Sequence, residues 1–203
     1  MMTVRLRISA RNMETKKEIR SRLKKQRSLL GADECRSMSH EIYKRLIESG
    51  LDREYDNILL YSAIRNEVNT DEYFACLINK AKRIYYPRVC GDEMSFYRVR
   101  SLDELNCGSF NINEPDMTDE YIEADGRALM IVPGLGFSYT GYRIGYGKGF
   151  YDRYLSSFTK RDTVMAVGVG YDFQLLGNVT FEDEYDVPLD GVITDKREVF
   201  IDD

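Results

Sequence analysis

Glycines at positions 145, 147 and 149 alternate with Tyr146 and Lys148, with Arg143 just before them and Asp152 just after. Residues without a Cβ let backbone N–H groups approach an anion closely. A helix starting beyond them would add unpaired donors and the positive end of its dipole. Arg143 and Lys148 supply positive charge for phosphate oxygens, and Asp152 offers a hard oxygen to Mg²⁺. The combination suits a nucleotide polyphosphate and its metal. The spacing is not that of a P-loop, whose Lys-Ser/Thr ending is missing. Nor is it a dinucleotide fingerprint, since no later strand carries a clear ribose-binding acid. On the glycines alone, a turn with solvated cations stays open as the alternative.

The elements around this string must present it. The apolar run 128–132 reads as a buried strand leading into it, and 149–156 as a helix leading out. Upstream, 14–30 reads as a helix stopped by Gly31, with Lys16 and Arg20 four residues apart on one face. Asp33 is expected to cap a second helix to about residue 49, ended by Gly50. A strand at 57–61 precedes a helix capped by Thr70 and running to Lys80. A strand at 83–86 is expected to break at Pro87. Residues 94–99 alternate as a strand, followed by a short helix at 101–105 and a loop-rich stretch, 106–126. Further strands are expected at 163–170 and, last, at 191–194. Strands alternating with helices imply an α/β fold: a single-domain, three-layer, Rossmann-like sandwich with a mostly parallel central sheet. Residues 1–13 read as a mobile N-terminal extension and 14–203 as the one domain. Ligands of such sheets sit beyond the carboxyl ends of the strands. Glu67, Arg88 and the glycine string all follow strand ends, so they would converge on one crevice.

Composition removes several classes. The 203 residues are 43% hydrophobic and 31% charged, an ordinary globular balance with room for one core. No apolar run approaches the ~20 residues of a membrane span, and the N-terminus has no secretory h-region. The four cysteines form no Cys-x-x-Cys pair, which speaks against structural zinc and for a reducing, cytoplasmic setting. The one histidine, His40, falls inside a helix and is read as a surface residue. A net charge of −5 argues against nucleic acid as a partner, although Lys16, Lys17, Arg20, Arg22, Lys24, Lys25 and Arg27 crowd one segment. That segment is read as a solvated helix face, or as a source of cations for a polyphosphate.

Pro-Gly-Leu-Gly-Phe from 133, then Gly-Tyr-Arg-Ile-Gly-Tyr-Gly-Lys-Gly-Phe-Tyr-Asp-Arg-Tyr from 141, resembles the signature of the 5-formyltetrahydrofolate cyclo-ligases. Lys16-Lys17-Glu18-Ile19-Arg20, Glu67-Val68, Tyr86-Pro87-Arg88 and the segment from Glu184 to Asp190 fall in the matching order, so the resemblance covers about 14–195. It implies ATP- and Mg²⁺-dependent cyclisation of 5-formyltetrahydrofolate to 5,10-methenyltetrahydrofolate, with release of ADP and phosphate. The γ-phosphoryl group would activate the formyl oxygen before N10 attacks. Lys148 and Arg143 would be catalytic. ATP would be held by Lys16, Arg20, Arg143, Gly145, Tyr146, Gly147, Lys148, Gly149, Phe150 and Tyr151. Folate would meet Glu67, Arg88, Tyr146 and Tyr151. Asp152 and Asp186 would face the metal, with Asp190 a rival for the second place. Phe150 stands where the family commonly has tyrosine, so a hydroxyl is lost and the stacking surface kept. A monomer is expected, and a non-catalytic nucleotide- or folate-binding protein is the alternative.

Overall fold

The computed structural model describes residues 14–121, 125–158, 163–177 and 183–201. The extension read at 1–13 lies outside the described residues. In chain order the helices are α1 (Lys16–Ser28), α2 (Ala32–Glu48), α3 (Asp71–Asn79) and α4 (Phe150–Ser156). The first strands are β1 (Asn57–Leu59), β2 (Arg83–Cys90), β3 (Glu93–Arg98), β4 (Asn106–Cys107), β5 (Asn113–Glu114) and β6 (Ala128–Pro133). They are followed by β7 (Gly136–Ser138), β8 (Arg143–Ile144), β9 (Val164–Val169), β10 (Leu175–Leu176), β11 (Gly191–Ile193) and β12 (Glu198–Phe200).

The main sheet has the order β12-β11-β9-β6-β1-β2-β3. Its inner five strands run parallel, and β3 and β12 pair antiparallel at the two edges. Because side chains alternate along a strand, β6 serves both faces. Leu129 and Ile131 join Ile42 and Leu46 of α2 and Phe74 and Leu77 of α3. Ala128, Met130 and Val132 point the other way, toward Tyr154 and Leu155 of α4. This is the expected mostly parallel α/β sheet with helices on both faces. No described helix is long and apolar enough to cross a membrane.

The structure corrects several local expectations. The second helix starts from Gly31 rather than Asp33, because the Glu34 carboxylate reaches back to accept the Gly31 N–H at 2.8 Å. Thr70 precedes α3, but its hydroxyl donates to the Tyr61 carbonyl at 3.0 Å instead of capping the helix. Pro87 does not end its strand. It lies opposite Phe96, whose carbonyl turns outward to the Tyr121 N–H, so the ladder requires no N–H there. The segment 191–194 is not the last strand, since β12 returns beside β11. The stretch between β6 and α4 is not bare loop. β7, β8 and β10 form a small sheet on which α1 lays Ile19 and Leu23, against Leu135, Ile144 and Leu176. The N-terminus of α1 is fixed by a capping box between Thr15 and Glu18.

The glycines of the Pro-Gly-Leu-Gly-Phe motif serve packing. Phe137 is fully buried. A Cβ built at Gly134, Gly168 or Gly170 would approach its ring to 2.6, 2.6 and 2.8 Å respectively. Gly168→Ala is therefore expected to destabilise the fold by about 1–3 kcal/mol, as overpacking does, read as a lowered urea midpoint with an unchanged slope. An unchanged midpoint would show that the ring can move aside.

Candidate active site

A cleft of about 490 Å³ opens beyond the carboxyl ends of β1, β2 and β6. Tyr61 and Ser62, Pro87 and Val89, and Pro133 and Gly134 line it from those strands. Lys16, Arg20 and Lys24 enter from α1, and the string from Arg143 to Asp152 closes another side. The fold thus brings together every residue of the expected site except Arg88. Along β2 the side chains alternate, so Pro87 and Val89 face the cleft. Arg88 is not among the lining residues and donates instead to the Pro115 carbonyl at 2.6 Å. The structure therefore does not bring Arg88, expected to meet folate, to the cleft with the other expected residues.

In the glycine loop, Gly147 and Gly149 hold φ of 99° and 67°, where a side chain would be strained. Gly145 is needed for closeness, since a Cβ would lie 2.6 Å from Arg143 Nη1. Arg143 is 7% exposed; its Nη2 donates to Asp152 Oδ2 at 2.8 Å, and its guanidinium lies 5.1 Å from the Tyr151 ring centroid. Its Nε is buried with no hydrogen-bond partner among the described residues. Arg153 Nη1 pins the loop by donating to the Lys148 carbonyl at 2.8 Å, which leaves the exposed Lys148 side chain on the cleft. α4 has only seven residues, so side-chain cations rather than a long helix dipole carry the positive charge here.

On α1, Lys16 Nζ binds Asp183 Oδ2 at 2.5 Å and Asp186 Oδ2 at 2.6 Å. Burial draws this ammonium's pKa down, but the two carboxylates outweigh it and hold the pKa above its ordinary value. Arg20 Nε donates to the Gly145 carbonyl at 3.0 Å, tying α1 to the glycine loop. Asp186 lines the cleft, whereas Asp190 Oδ2 accepts the Ala166 N–H at 2.6 Å. Geometry therefore favours Asp186 over its rival. Among the described residues no three carboxylate, thiol or imidazole groups cluster as a ready metal cage.

Glu67 is 8% exposed, on the loop that follows β1. Burial raises its pKa above the usual carboxylate range. Arg27, the Ile64 N–H (3.0 Å from Oε2), Tyr146 and Arg65 pull the other way. Tyr146 donates its hydroxyl to Glu67 Oε1 at 3.1 Å and accepts a hydrogen bond from Arg27 Nη2. Burial pushes that hydroxyl's pKa up to about 12, so it stays protonated. Lys24, Arg27 and Arg65 surround the Tyr146 ring at 5.2, 5.8 and 5.7 Å from its centroid. Arg65 and Asn66 both adopt left-handed backbone, with φ of 50° and 59°. Asn66 Nδ2 anchors the turn to the Arg27 and Leu30 carbonyls.

Sequence reasoning missed Arg65, Asp183 and Phe110, and named Lys24 and Arg27 only as members of the basic segment. Phe110 lines the cleft beside Phe150, with ring centroids 6.4 Å apart, from a turn where Phe110 itself has φ 58°. For Arg27 a signal existed. It falls seven residues after Arg20 and eleven after Lys16, on the same stripe of α1.

Residues 12–195 match the model of the 5-formyltetrahydrofolate cyclo-ligase family. The chain belongs to that family. It is 26% identical to a probable 5-formyltetrahydrofolate cyclo-ligase of Caenorhabditis elegans, over 93% of this chain and 97% of that one. It is 30% identical to a 5-formyltetrahydrofolate cyclo-ligase of Mycoplasma pneumoniae, over 89% and 99%. Among solved structures it resembles a 5,10-methenyltetrahydrofolate synthetase of Aquifex aeolicus, with a TM-score of 0.80 and 33% identity over 93% of each chain. A 5,10-methenyltetrahydrofolate synthetase of Mycoplasma pneumoniae superposes with a TM-score of 0.72 at 28% identity, over 89% of this chain and 98% of that one. These four matches therefore run nearly end to end.

The raised pKa of Glu67 has a consequence for stability. A carboxyl that binds its proton more tightly when folded makes the protein lose stability as pH rises from its unfolded pKa through its folded one. Between about pH 4 and 7, the stability of Glu67→Gln should fall less than that of the parent, measured by urea unfolding. Parallel curves would mean that Glu67 titrates normally.

Proposed function

We propose that this cyclo-ligase family member converts 5-formyltetrahydrofolate to 5,10-methenyltetrahydrofolate with Mg-ATP, releasing ADP and phosphate. One observation carries the reading. A single cleft holds six cations from α1, the Arg65 turn and the glycine loop, and beside them a buried carboxylate, Glu67, that lines the same space. The cations fit a polyphosphate. A carboxylate that accepts hydrogen bonds fits the N–H edge of a pterin.

The chemistry needs no protein nucleophile. An amide oxygen is a poor leaving group. Transfer of the ATP γ-phosphoryl group to the formyl oxygen makes it a good one; N10 then attacks the formyl carbon and loses its proton to solvent, and phosphate departs with the formyl oxygen as the methenyl bridge forms. Arg143 and Lys148 would stabilise charge on the transferring phosphoryl group, while Lys16 and Arg20 hold the rest of the polyphosphate. Tyr146, Phe150 and Tyr151 would wall the planar rings. Asp152 and Asp186 are each already bound to a cation, which suits a Mg²⁺ that takes most of its ligands from phosphate and water and one or two from protein carboxylates. When bound, Mg²⁺ neutralises phosphate charge. The chain's own part is to place the carboxylates, exclude water and align the two substrates.

The direct test is the appearance of methenyltetrahydrofolate absorbance on mixing the protein, 5-formyltetrahydrofolate and Mg-ATP. Binding of both ligands without product would leave a non-catalytic binding protein. Lys148→Ala should cut turnover on the order of 10²-fold or more, and near-normal turnover in a folded variant would make Lys148 a solvated loop residue. Asp152→Asn should raise the Mg²⁺ needed for half-maximal rate while folate binding without nucleotide holds steady. Asp186→Asn should do so more mildly. A Mg²⁺ titration of Asp152→Asn that superimposes on the parent's would reject the metal role.

A further inference from the structure

We infer that Arg27 is a positioning residue of the reaction: without lining the cleft, it holds Glu67 and the Tyr146 hydroxyl in the arrangement that receives the pterin. The inference rests on the reading of Glu67 as the folate-contacting acid. Arg27 is 2% exposed and its guanidinium meets three elements at once. Nη1 donates to the Gly134 carbonyl at the end of β6, at 3.2 Å. Nη2 donates to the Tyr146 hydroxyl in the glycine loop and lies 3.6 Å from Glu67 Oε1. Its own backbone carbonyl accepts from Asn66, so the turn carrying Glu67 is tied to it twice. Lys16 and Arg20, the proposed nucleotide cations, project from the same stripe of the same helix. α1 therefore joins the nucleotide end of the cleft to the folate acid through one rigid rod.

The groups that face Glu67 are Arg27 from α1, Tyr146 from the glycine loop, Arg65 from its own turn, Tyr61 after β1, Tyr151 of α4 and Tyr171 after β9. The tyrosines stay neutral, so Arg27 and Arg65 are its counter-charges among the described residues. Arg65 is exposed on the rim, and Arg27 is the buried one. A buried carboxylate deprived of its cation takes up a proton instead of staying charged. Protonated Glu67 would turn an O–H toward the pterin N–H donors, which is a mismatch. Removing Arg27 would therefore act on folate, and act more strongly as pH falls.

The test compares the parent with Arg27→Met and Arg27→Lys, each alone and combined with Glu67→Gln, measuring kcat and KM for both substrates from about pH 6 to 9. For Arg27→Met, the KM for 5-formyltetrahydrofolate should rise about tenfold or more at neutral pH, while that for ATP changes little. The acid limb of kcat/KM for folate should move up by about 1–3 pH units. Arg27→Lys should recover part of both effects. In the Glu67→Gln background, Arg27→Met should add little, because its effect passes through the acid already removed. If Arg27→Met does not fold, Arg27→Lys and Tyr146→Phe keep the test in force. Each should shift the acid limb in the same direction by less, and no shift in either overturns the inference. Losses that simply add, an unmoved acid limb, or equal rises in both KM values would likewise reduce Arg27 to a structural residue. Those outcomes need an active parent. A parent that neither binds nor converts 5-formyltetrahydrofolate overturns the proposed function, and the role of Arg27 with it.

Discussion

A charge cannot be buried alone, and Arg27 and Glu67 are both buried. The desolvation of two ions is offset only where geometry is good and the remaining donors and acceptors are satisfied. Here satisfaction requires the Gly134 carbonyl, the Tyr146 hydroxyl and the Ile64 N–H to be in place together. Those groups belong to the end of β6, the glycine loop and the turn after β1. The pair thus fixes three separate pieces of chain relative to α1. Much else follows from that: the path of the 64–67 turn through left-handed backbone, the orientation of the Tyr146 ring, and the depth at which the cleft ends.

The rest of the cleft obeys the same electrostatic rule with a different solution. Lys16 is held by Asp183 and Asp186, and Arg143 by Asp152, so these cations already have carboxylate partners. An arriving polyphosphate would exchange partners rather than meet bare charge. The released carboxylates would then be free for a divalent cation. The acids and bases of the site are in this sense counter-ions for one another until ligands replace them. Lys148 differs: it is exposed on the loop, and among the described residues its recorded hydrogen bond is through its backbone carbonyl.

Much of this was legible in the residues, for identifiable reasons. Short apolar runs such as Ala128–Pro133 and Val164–Val169, rich in β-branched residues, read as buried central strands, and their alternation with helices yields the sheet. The glycine string announces its loop because Gly147 and Gly149 occupy backbone regions other residues avoid. What escaped reading depends on distance in the chain. The small sheet is built from strands of two or three residues, too short for any periodicity. Arg88 was misplaced because a strand's parity with respect to a cleft is set by its register, not by its composition. Pro87 was judged by a local rule, whereas its tolerance comes from the partner strand. Arg27 hid in a basic helix, where only burial separates it from its solvated neighbours.

The connectivity of the sheet also bears on how the chain is assembled during synthesis. β1 is completed at Leu59, yet its parallel neighbour β6 lies around Met130 and the next strand around Val167. α1 is made first of all the described helices, but the surface that buries Ile19 and Leu23 includes Leu135, Ile144 and Leu176. The first-made of the described helices can therefore be fully covered only once Leu176 has been made, more than four-fifths of the way along the 203 residues. Until then part of its apolar stripe remains in water. Such non-local closure is slow and leaves nascent surface uncovered. Arg27, beneath the cleft, cannot lose its hydration before its partners Gly134 and Tyr146 have been made, so the Glu67 end of the cleft is finished late in synthesis.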